Sequence, residues 1–175
     1  MDEDRIPAVD ENAERLDAAA FGAVYQQHRL SVYRYMRGRA RTDAEALDLA
    51  ADTFERAFAN FGRFRARDGG VHAWLLRIAR NVAIDAHRRR HRTVPMGEAD
   101  AQSNRIAVEA DRTERERVEI LDLVARLPRD QGDALLLRYA SGLTAREIGV
   151  VTGRREGAVQ KQIERGLAAL REAYR

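Results

Sequence analysis

Basic and aromatic side chains cluster in the middle of this 175-residue chain, and their spacing suits contact with nucleic acid rather than covalent chemistry. Residues 61–92 contain nine arginines and two acids. The stretch FGRFR at 61–65 alternates aromatic and basic residues, and HRRRHR closes the segment at 87–92. Aromatic rings stack on unpaired bases for ~1 to 3 kcal/mol each, while arginines follow the phosphates. The pattern predicts a site for single-stranded nucleic acid.

The same residues also have a structural interpretation, which stays open at this stage. Phe61 and Trp74 have the spacing of core positions, and we favour the core for both. Cationic side chains near a helix C-terminus also complement the helix dipole. Six consecutive arginines or histidines at 87–92 exceed that need, so the basic run itself favours phosphate contact.

Residues suited to catalysis or metal binding are not grouped in this sequence. The chain has no cysteine, which excludes a thiol nucleophile and iron–sulfur ligation. His87 and His91 have the spacing of a helical zinc pair, but the surrounding arginines would repel a dication and no glutamate follows His87. No serine, histidine and acid grouping or phosphate-binding loop is apparent. We predict a protein that is not an enzyme and uses no cofactor or metal.

Charge is distributed unevenly along the chain. The net charge is only +3, although charged residues make up 34% of the chain. Residues 1–17 hold seven acids and two arginines, so this end repels phosphate and the 61–92 segment attracts it. No apolar run approaches the ~20 residues that span a bilayer, and the acidic start is unlike a signal peptide. The sequence predicts a cytoplasmic protein without membrane insertion.

Apolar residues recur at helical spacing over most of the chain, so the predicted fold class is all-α. Residues 1–18 lack strong periodicity and predict a loose acidic tail. Three amphipathic helices follow; a Thr42/Glu45 capping box opens the second, and the third runs from the DGG at 68–70 to just before Pro95. The predicted core stripes are Phe21, Val24, His28, Val32, Tyr35 and Met36, then Ala46, Leu49, Thr53, Phe54, Ala57 and Phe61, then Val71, Trp74, Leu75, Ile78, Val82 and Ala86.

The outer faces of the second and third predicted helices carry opposite chemistry. Asp48, Asp52 and Glu55 recur at spacings of four and three, which aligns them as an acidic ridge along the second helix. The outer stripe of the third helix holds Arg77, Asn81, Ile84 and Arg88. One helix therefore presents negative charge and the next presents cations and an amide.

The second half of the chain begins with a linker and two further helices. Residues 93–112 are small, polar and charged, which predicts a linker. A Thr113/Glu116 capping box opens one helix, and Pro128 begins the next, which ends at Gly142. Among the apolar positions of that second helix are Ala134, Leu135 and Tyr139.

A helix-turn-helix is the sharpest local signal. A Thr144/Glu147 capping box opens a short helix, the turn TGR follows at 152–154, and a long amphipathic helix completes the motif. The inward positions of the long helix are Val159, Ile163, Leu167 and Leu170, and its outward positions are Arg154, Gly157, Ala158, Gln160, Lys161, Glu164 and Arg165. Such a helix enters the major groove of DNA. There lysine or arginine can hydrogen-bond to guanine, glutamine to adenine, and glutamate to the amino group of cytosine. For any single outward residue, the alternative to a base contact is that the side chain is simply exposed to solvent.

The chain resembles a bacterial RNA polymerase sigma factor of the sigma-70 family, in its extracytoplasmic function (ECF) group. The blocks that carry the resemblance are ALDLAADTFERAF, WLLRIARNVAIDAHRRR, LPRDQGDALLLRYASGLTAREIGVVTG and REGAVQKQIERGLAALR. The resemblance implies two small helical domains: a three-to-four-helix region 2 domain at 19–92 and a helix-turn-helix region 4 domain at 113–175. A flexible linker at 93–112 would join them and thread toward the polymerase active-site channel.

The resemblance also implies which residues bind what. The block that docks on the clamp coiled coil of the largest polymerase subunit matches Asp48, Leu49, Asp52, Thr53 and Phe54. The −10 element, with a flipped base held by the loop at 64–71, would be melted and read by Phe64, Arg65, Trp74, Arg77, Asn81, Asp85, Arg88 and Arg89. The −35 element would be read by Arg154, Arg155, Gln160, Lys161, Glu164 and Arg165. Core polymerase, promoter DNA and an anti-sigma factor are the implied partners.

Several positions depart from the family pattern. Ala51 stands where many relatives have glutamine in the docking block, and Gln160 and Glu164 replace basic and often aromatic residues. Gly132, in mid-helix, costs about 1 kcal/mol against alanine without an evident reason. A repressor or activator that binds duplex DNA alone is the rival hypothesis, and the acidic ridge argues against it because such a regulator has no need of a docking surface.

Overall fold

A computed structural model describes residues 11–65, 70–93 and 112–174. The described residues form seven α-helices with no strand among them, which confirms the all-α prediction. The helices are α1 (Glu11–Arg37), α2 (Asp43–Asn60), α3 (Gly70–Thr93), α4 (Arg112–Arg126), α5 (Arg129–Leu135), α6 (Ala145–Thr152) and α7 (Glu156–Ala173). A 3-10 turn at Phe61–Arg63 follows α2, and a π-helical turn at Leu136–Ala140 continues α5. Residues 94–111 of the predicted linker and residues 66–69 of the 64–71 loop lie outside the described residues.

Helices α1, α2 and α3 pack around one apolar core. The predicted stripes are largely confirmed, since Val32, Tyr35 and Met36 of α1 and Leu75 and Val82 of α3 are fully buried. Thr42 caps α2 by accepting a hydrogen bond from the Glu45 backbone N–H. The Glu45 carboxylate accepts from the Arg41 N–H rather than from Thr42, so the predicted capping box is only half formed.

Helix α1 begins earlier than the sequence predicts. It starts at Glu11, within the segment that was expected to be a loose tail. Residues 11–20, ENAERLDAAA, contain four alanines and two glutamates, residue types that propagate a helix once the amphipathic part has nucleated it. The predicted tail boundary at residue 18 is therefore wrong for residues 11–18, and residues 1–10 lie outside the described chain.

Helices α4 to α7 form the second domain and contain the predicted helix-turn-helix. Thr144 and Glu147 form a full capping box at the start of α6, as predicted. Gly153 ends α6 with φ of 69°, a left-handed conformation that favours glycine. A Cβ on Gly149 would lie 2.6 Å from the Arg154 carbonyl oxygen, so only glycine lets the turn fold back on α6.

Tyr139, one of the apolar positions of the predicted helix, lies outside the core. It is 64% exposed, whereas Leu136 and Leu137 are buried. All three lie on the π-helical turn, where the Ser141 N–H donates to the Leu136 carbonyl. The wider turn rotates the following side chains relative to a 3.6-residue helix, so Tyr139 faces outward.

The two domains pack directly against each other. Helix α6 lies on α3, and the π-helical turn lies on α1. Leu76 and Ala79, which fall outside the predicted α3 stripe, are buried together with it, so the buried face of α3 is wider than a three-helix core requires. No helix among the described residues is long and apolar enough to cross a membrane.

Two histidines stack between α1 and α3 on the side that faces α6. The rings of His28 and His72 have centroids 4.7 Å apart, and Nε2 of His72 lies 2.7 Å from Oγ of Ser31. Burial lowers the pKa of both histidines; the other imidazole lowers the pKa of His28 further, whereas the Glu147 carboxylate opposes the shift at His72. The folded protein therefore favours neutral rings.

We expect the folded state to lose stability as the pH falls below about 6.5, the ordinary imidazole pKa. The unfolded chain takes up protons at that pH while the folded chain resists them, so falling pH favours unfolding. Urea midpoints measured on either side of this pH should show the loss, and His28→Gln should flatten it. Gln27→Asn, a substitution of an exposed residue of α1 that does not titrate, is the control. An unchanged pH dependence in His28→Gln would contradict the assignment.

Candidate nucleic-acid interface

A cavity of about 360 Å³ opens between the end of α2 and the start of α3. We call it the aromatic cavity. Its walls combine two aromatic rings, one aliphatic side chain, three guanidinium groups and two amides, and the lining residues are Arg56, Asn60, Arg63, Phe64, Trp74, Arg77, Ile78 and Asn81. Flat rings beside amides and cations are suited to hold a nucleobase and its phosphate.

The aromatic walls are held by the core. The ring centroids of Phe64 and Trp74 are 4.9 Å apart and tilted by 45°, and Phe61 lies 6.4 Å from Trp74 on the core side. All three side chains are half-buried. Phe61 and Trp74 pack on the core, as the structural interpretation predicts, and Trp74 and Phe64 line the cavity. The nucleic-acid interpretation stays a prediction.

Predicted −10 residues on α3 lie at or beside the aromatic cavity. Arg77 and Asn81 are exposed and line it. Asp85, one turn farther, accepts a hydrogen bond from Arg56 of α2 at 3.1 Å. Asp85 therefore fixes a cavity arginine, and its carboxylate is not a free base reader in this structure.

Two cavity residues, Arg56 and Asn60, were not expected from the sequence, whereas a third, Arg63, belongs to the predicted FGRFR stretch. Asn60 donates through Nδ2 to the Arg56 carbonyl oxygen at 2.8 Å. The spacing of four between Arg56 and Asn60 places them on one face of α2, but the sequence does not say which face of α2 meets α3. A helical wheel alone had no signal that could connect them to residues 74–81.

The basic run at the end of α3 divides in two. Arg88 is exposed, whereas Arg90 forms an ion pair with Glu45 of α2. Arg89 is exposed and has a further contact of its own. Arg65, by contrast, donates to the backbone carbonyl of Phe64 at 2.8 Å. Part of the run thus ties α3 to α2, and Arg88 carries the clearest outward charge.

The predicted −35 residues all lie on the exposed face of the helix-turn-helix. Exposed side chains are found at Arg154, Arg155, Gln160, Lys161, Glu164 and Arg165. Val159 is buried on the opposite side, whereas Ile163 and Leu170 are partly buried against the core. This division is the one expected of a helix that enters a groove.

Asp130 of α5 reduces the positive charge of this exposed face. Its carboxylate pairs with Arg154, and both side chains are more than a third exposed. We expect Asp130→Asn to release Arg154 for a phosphate and to tighten duplex binding several-fold. The slope of log K against log[salt] should steepen by ~0.9, the value for one more phosphate contact. Fluorescence anisotropy in a salt series measures both, with Glu119→Gln as an exposed acid on α4 for control. An unchanged slope would contradict this role.

The polymerase-docking block implied by the resemblance needs a correction in its residue list. Asp48 is exposed and Asp52 is partly exposed, but Leu49, Thr53 and Phe54 are buried. The Thr53 hydroxyl donates to the Leu49 carbonyl at 2.8 Å. These three residues hold α2 in the core and cannot touch a partner directly. Leu47, beside Asp48, is 59% exposed, so this surface also presents an apolar side chain that was not predicted from the sequence.

One domain carries a basic, aromatic cavity and the other a helix-turn-helix. Both features suit DNA, and comparison with known families makes the assignment specific. Residues 24–93 match Sigma-70 region 2, and residues 117–170 match Sigma-70, region 4. The chain belongs to the sigma-70 family of RNA polymerase sigma factors, in its ECF group. Sigma factors are transcription initiation factors and not enzymes, in agreement with the sequence analysis.

Similar proteins come from several bacteria. The ECF RNA polymerase sigma factor BldN of Streptomyces coelicolor is 35% identical over 163 residues, which are 91% of this chain and 62% of BldN. The chain thus spans less than two thirds of the length of BldN. The ECF sigma factor SigC of Mycobacterium tuberculosis is 30% identical over 172 residues, covering 97% of this chain and 91% of SigC.

Solved structures share the fold. CnrH in complex with the cytosolic domain of CnrY matches with a TM-score of 0.72 and 21% identity, over 94% of this chain and 93% of the other. The sigma factor RpoE in complex with the anti-sigma factor NepR, from Bartonella quintana, matches with a TM-score of 0.70 and 22% identity. The match covers 87% of this chain and 95% of the RpoE chain. At these identities the likeness concerns the fold.

Proposed function

We propose that the chain docks on core RNA polymerase through the acidic ridge and directs initiation at promoters with matching −35 and −10 elements. Residues 19–92 would form the domain that binds polymerase and melts the −10 element, and residues 113–175 the domain that binds the −35 element as duplex. The 93–112 segment would run toward the polymerase active-site channel. The protein would act in the cytoplasm, with the polymerase.

One observation carries the proposal: the acidic ridge and the aromatic cavity belong to the same domain but present opposite charges. Exposed Asp48 on α2 repels phosphate and suits a basic protein partner. The cavity, lined by Arg56, Arg63 and Arg77, attracts phosphate. A regulator that binds duplex DNA alone needs neither an acidic docking surface nor a cavity with room for an unpaired base.

Strand separation would follow from binding energy rather than from chemistry. Flipping a base out of a duplex costs a few kcal/mol, and a base stacked on an aromatic side chain returns ~1 to 3 kcal/mol. A base held against Phe64 and Trp74, with its backbone near Arg77 and Arg88, offsets most of that cost. Polymerase would add affinity by tethering the −10 and −35 domains at the proper separation.

Reconstituted transcription tests the proposal. Full-length protein added to core polymerase from a related bacterium should create new start sites on genomic templates, read by sequencing the transcripts. Core polymerase without it should give only background initiation. If the protein never changes the choice of start site, the proposal is wrong; binding to one duplex operator without polymerase would favour the regulator.

Asn81→Ala should change which −10 sequences are used. Its amide lies in the aromatic cavity and can donate to and accept from a base edge, and loss of such a contact costs about 10-fold or more at the matching base. Arg88→Ala, the comparison variant, should weaken every promoter alike and more strongly at high salt. Transcription from a library of −10 variants separates the two, and an equal loss at all variants in Asn81→Ala would remove its specificity role.

An anti-sigma protein is proposed as the inhibitory partner. The support is indirect: a fold relative, RpoE, was solved in complex with the anti-sigma factor NepR. Such a partner would have to cover the acidic ridge or hold the −10 and −35 domains away from their DNA elements. Affinity capture with the full-length protein, followed by inhibition of the reconstituted transcription, is the test.

A further inference from the structure

An ion pair joins α2 to α3 beside the aromatic cavity. Nη1 of Arg56 donates to Oδ2 of Asp85 at 3.1 Å, and the Arg56 side chain lines the cavity whereas Asp85 does not. The last turn of α2 is also fixed, because Nδ2 of Asn60 donates to the Arg56 carbonyl oxygen at 2.8 Å. The backbone and the guanidinium of Arg56 are therefore both held where α2 meets α3.

The three arginines of the cavity differ in how they are paired. Arg63 and Arg77 are exposed, and neither forms a hydrogen bond or ion pair with another residue in the described part of the chain. Both keep their full positive charge for the phosphates of a bound strand. Arg56 lies against a carboxylate that cancels most of its charge, so it contributes little to general attraction of DNA.

A tethered arginine is better suited to recognise a base than to bind a phosphate. A free arginine side chain loses rotamer entropy when it binds, whereas one held by a carboxylate has already lost part of it. The guanidinium has five N–H donors in a planar fork. Asp85 is its only partner among residues 11–65, 70–93 and 112–174, so most of these donors remain available to a ligand in the cavity.

The fork of Arg56 matches bases that carry two adjacent acceptors. Guanine presents O6 and N7 side by side. An extruded base also exposes its Watson–Crick edge, where cytosine presents O2 next to N3. Thymine has an N3–H donor between its two carbonyl oxygens, and adenine has its amino group beside both N1 and N7. The fork therefore distinguishes guanine and cytosine from adenine and thymine.

We propose that Arg56 is a specificity-determining residue of the aromatic cavity, that it selects an unpaired guanine or cytosine, and that Asp85 is its positioning residue. This inference rests on the proposed function, in which the cavity holds an unpaired base of the −10 element. Phe64 and Trp74 would stack on any base, so the choice among bases falls to Arg56. Asp85, which the resemblance implies as a −10 residue, acts through Arg56 and does not touch the base.

Transcription from a library of −10 variants, with the full-length protein and core polymerase, tests the recognition by Arg56. With wild type, one position should favour guanine or cytosine about ten-fold over adenine and thymine, as expected of one bidentate contact. Arg56→Lys keeps the charge but lacks the fork, so the preference there should fall to about two-fold or less while other positions stay unchanged. Arg41→Lys is the matched control, because Arg41 is an exposed arginine that pairs with Glu45 at the other end of α2.

Asp85→Asn separates a positioning role from direct base recognition. On its own it should weaken the same preference several-fold, because the guanidinium is no longer held in place. Combined with Arg56→Lys it should cause no further loss, since Asp85 acts only through Arg56. Additive losses in the double variant would show that Asp85 contacts the base itself and would overturn the positioning role.

The charge of Arg56 gives a second signature of the same variant. Without the Asp85 carboxylate, the guanidinium can bind a phosphate, so Asp85→Asn should tighten binding to single-stranded oligothymidylate. The slope of log K against log[salt] should steepen by ~0.7, the value for one more phosphate contact on a single strand. Quenching of Trp74 fluorescence in the full-length protein measures this binding. An ion pair with only a structural role would lower thermal stability and leave the slope and the base preference unchanged, which would overturn the proposal.

The outcomes distinguish this inference from the proposed function. If wild type directs no initiation with core polymerase, the proposed function is wrong and the role of Arg56 falls with it. If wild type directs initiation but Arg56→Lys keeps the full preference for guanine or cytosine, the proposed function stands and the inference is wrong. A wild-type library without any position that favours guanine or cytosine would overturn the inference in the same way.

Discussion

Reversing the charge of the acidic ridge, with Asp48→Arg and Asp52→Arg together, is expected to weaken binding to core polymerase by at least about 100-fold. Charge pairs at protein interfaces couple by about 1.5 to 7 kcal/mol, and a like charge in the wrong place costs several more. Asp48 is exposed and Asp52 partly so, so the fold should survive with a change in stability of about 0.5 kcal/mol or less. Biolayer interferometry against core polymerase gives the affinity, and thermal melting gives the stability.

The matched control for the ridge is Glu119→Arg, the same charge reversal at an exposed position of α4. It should leave polymerase binding within about two-fold. Leu49→Ala is a different kind of variant, because that side chain is buried; it should lower stability by about 2 to 5 kcal/mol and reduce binding only through unfolding. Full polymerase binding by the double ridge variant would refute the docking surface and favour a regulator that acts on DNA alone.

Phe64→Ala is expected to reduce open-complex formation by about 10- to 100-fold. The substitution removes one aromatic wall of the cavity, worth ~1 to 3 kcal/mol per stacked base, while duplex binding by the distant helix-turn-helix stays unchanged. In the assembled polymerase complex, 2-aminopurine placed in the −10 element reports the unpaired base. Trp74 is the only tryptophan of the chain, so quenching of its fluorescence by a single-stranded −10 oligonucleotide reports cavity occupancy in the free protein.

Phe58→Ala is the appropriate control for the cavity variant. Phe58 lies on α2 within contact of Phe21, is 53% exposed and does not line the aromatic cavity. It should therefore leave both fluorescence signals unchanged. Normal opening of the −10 element by Phe64→Ala would exclude the stacking role and leave the arginines as the source of affinity.

Local signals in the sequence were sufficient for the helices and their motifs. The capping box at Thr144 and Glu147 formed as predicted because its hydrogen bonds join residues three apart. The apolar stripe from Val32 to Met36 is buried in the core as predicted, because helical spacing alone brings those side chains to one face of the helix. Such features depend on neighbours along the chain, which the sequence states directly.

Contacts between distant segments were beyond the same reasoning. The sequence marked Leu49, Thr53 and Phe54 both as core positions and as docking residues, and their burial decides for the core. The position of Arg56 and Asn60 at the cavity could not be predicted from the sequence, because helical periodicity does not fix how α2 crosses α3. Asp85 could not be recognised as the partner of Arg56 for the same reason.

The sequence by itself determined an all-helical protein with a helix-turn-helix, an acidic face and a basic, aromatic segment, since periodicity, caps and charge patterns are local properties. Only the tertiary structure decided that Asp133 is buried among Tyr35, Arg39 and Arg80 and that Gly132 leaves room for one of them. A carboxylate on a helix looks like a solvated charge until the opposite domain is in place. Its burial depends on side chains more than fifty positions away along the chain, and no local sequence pattern predicts such a long-range contact.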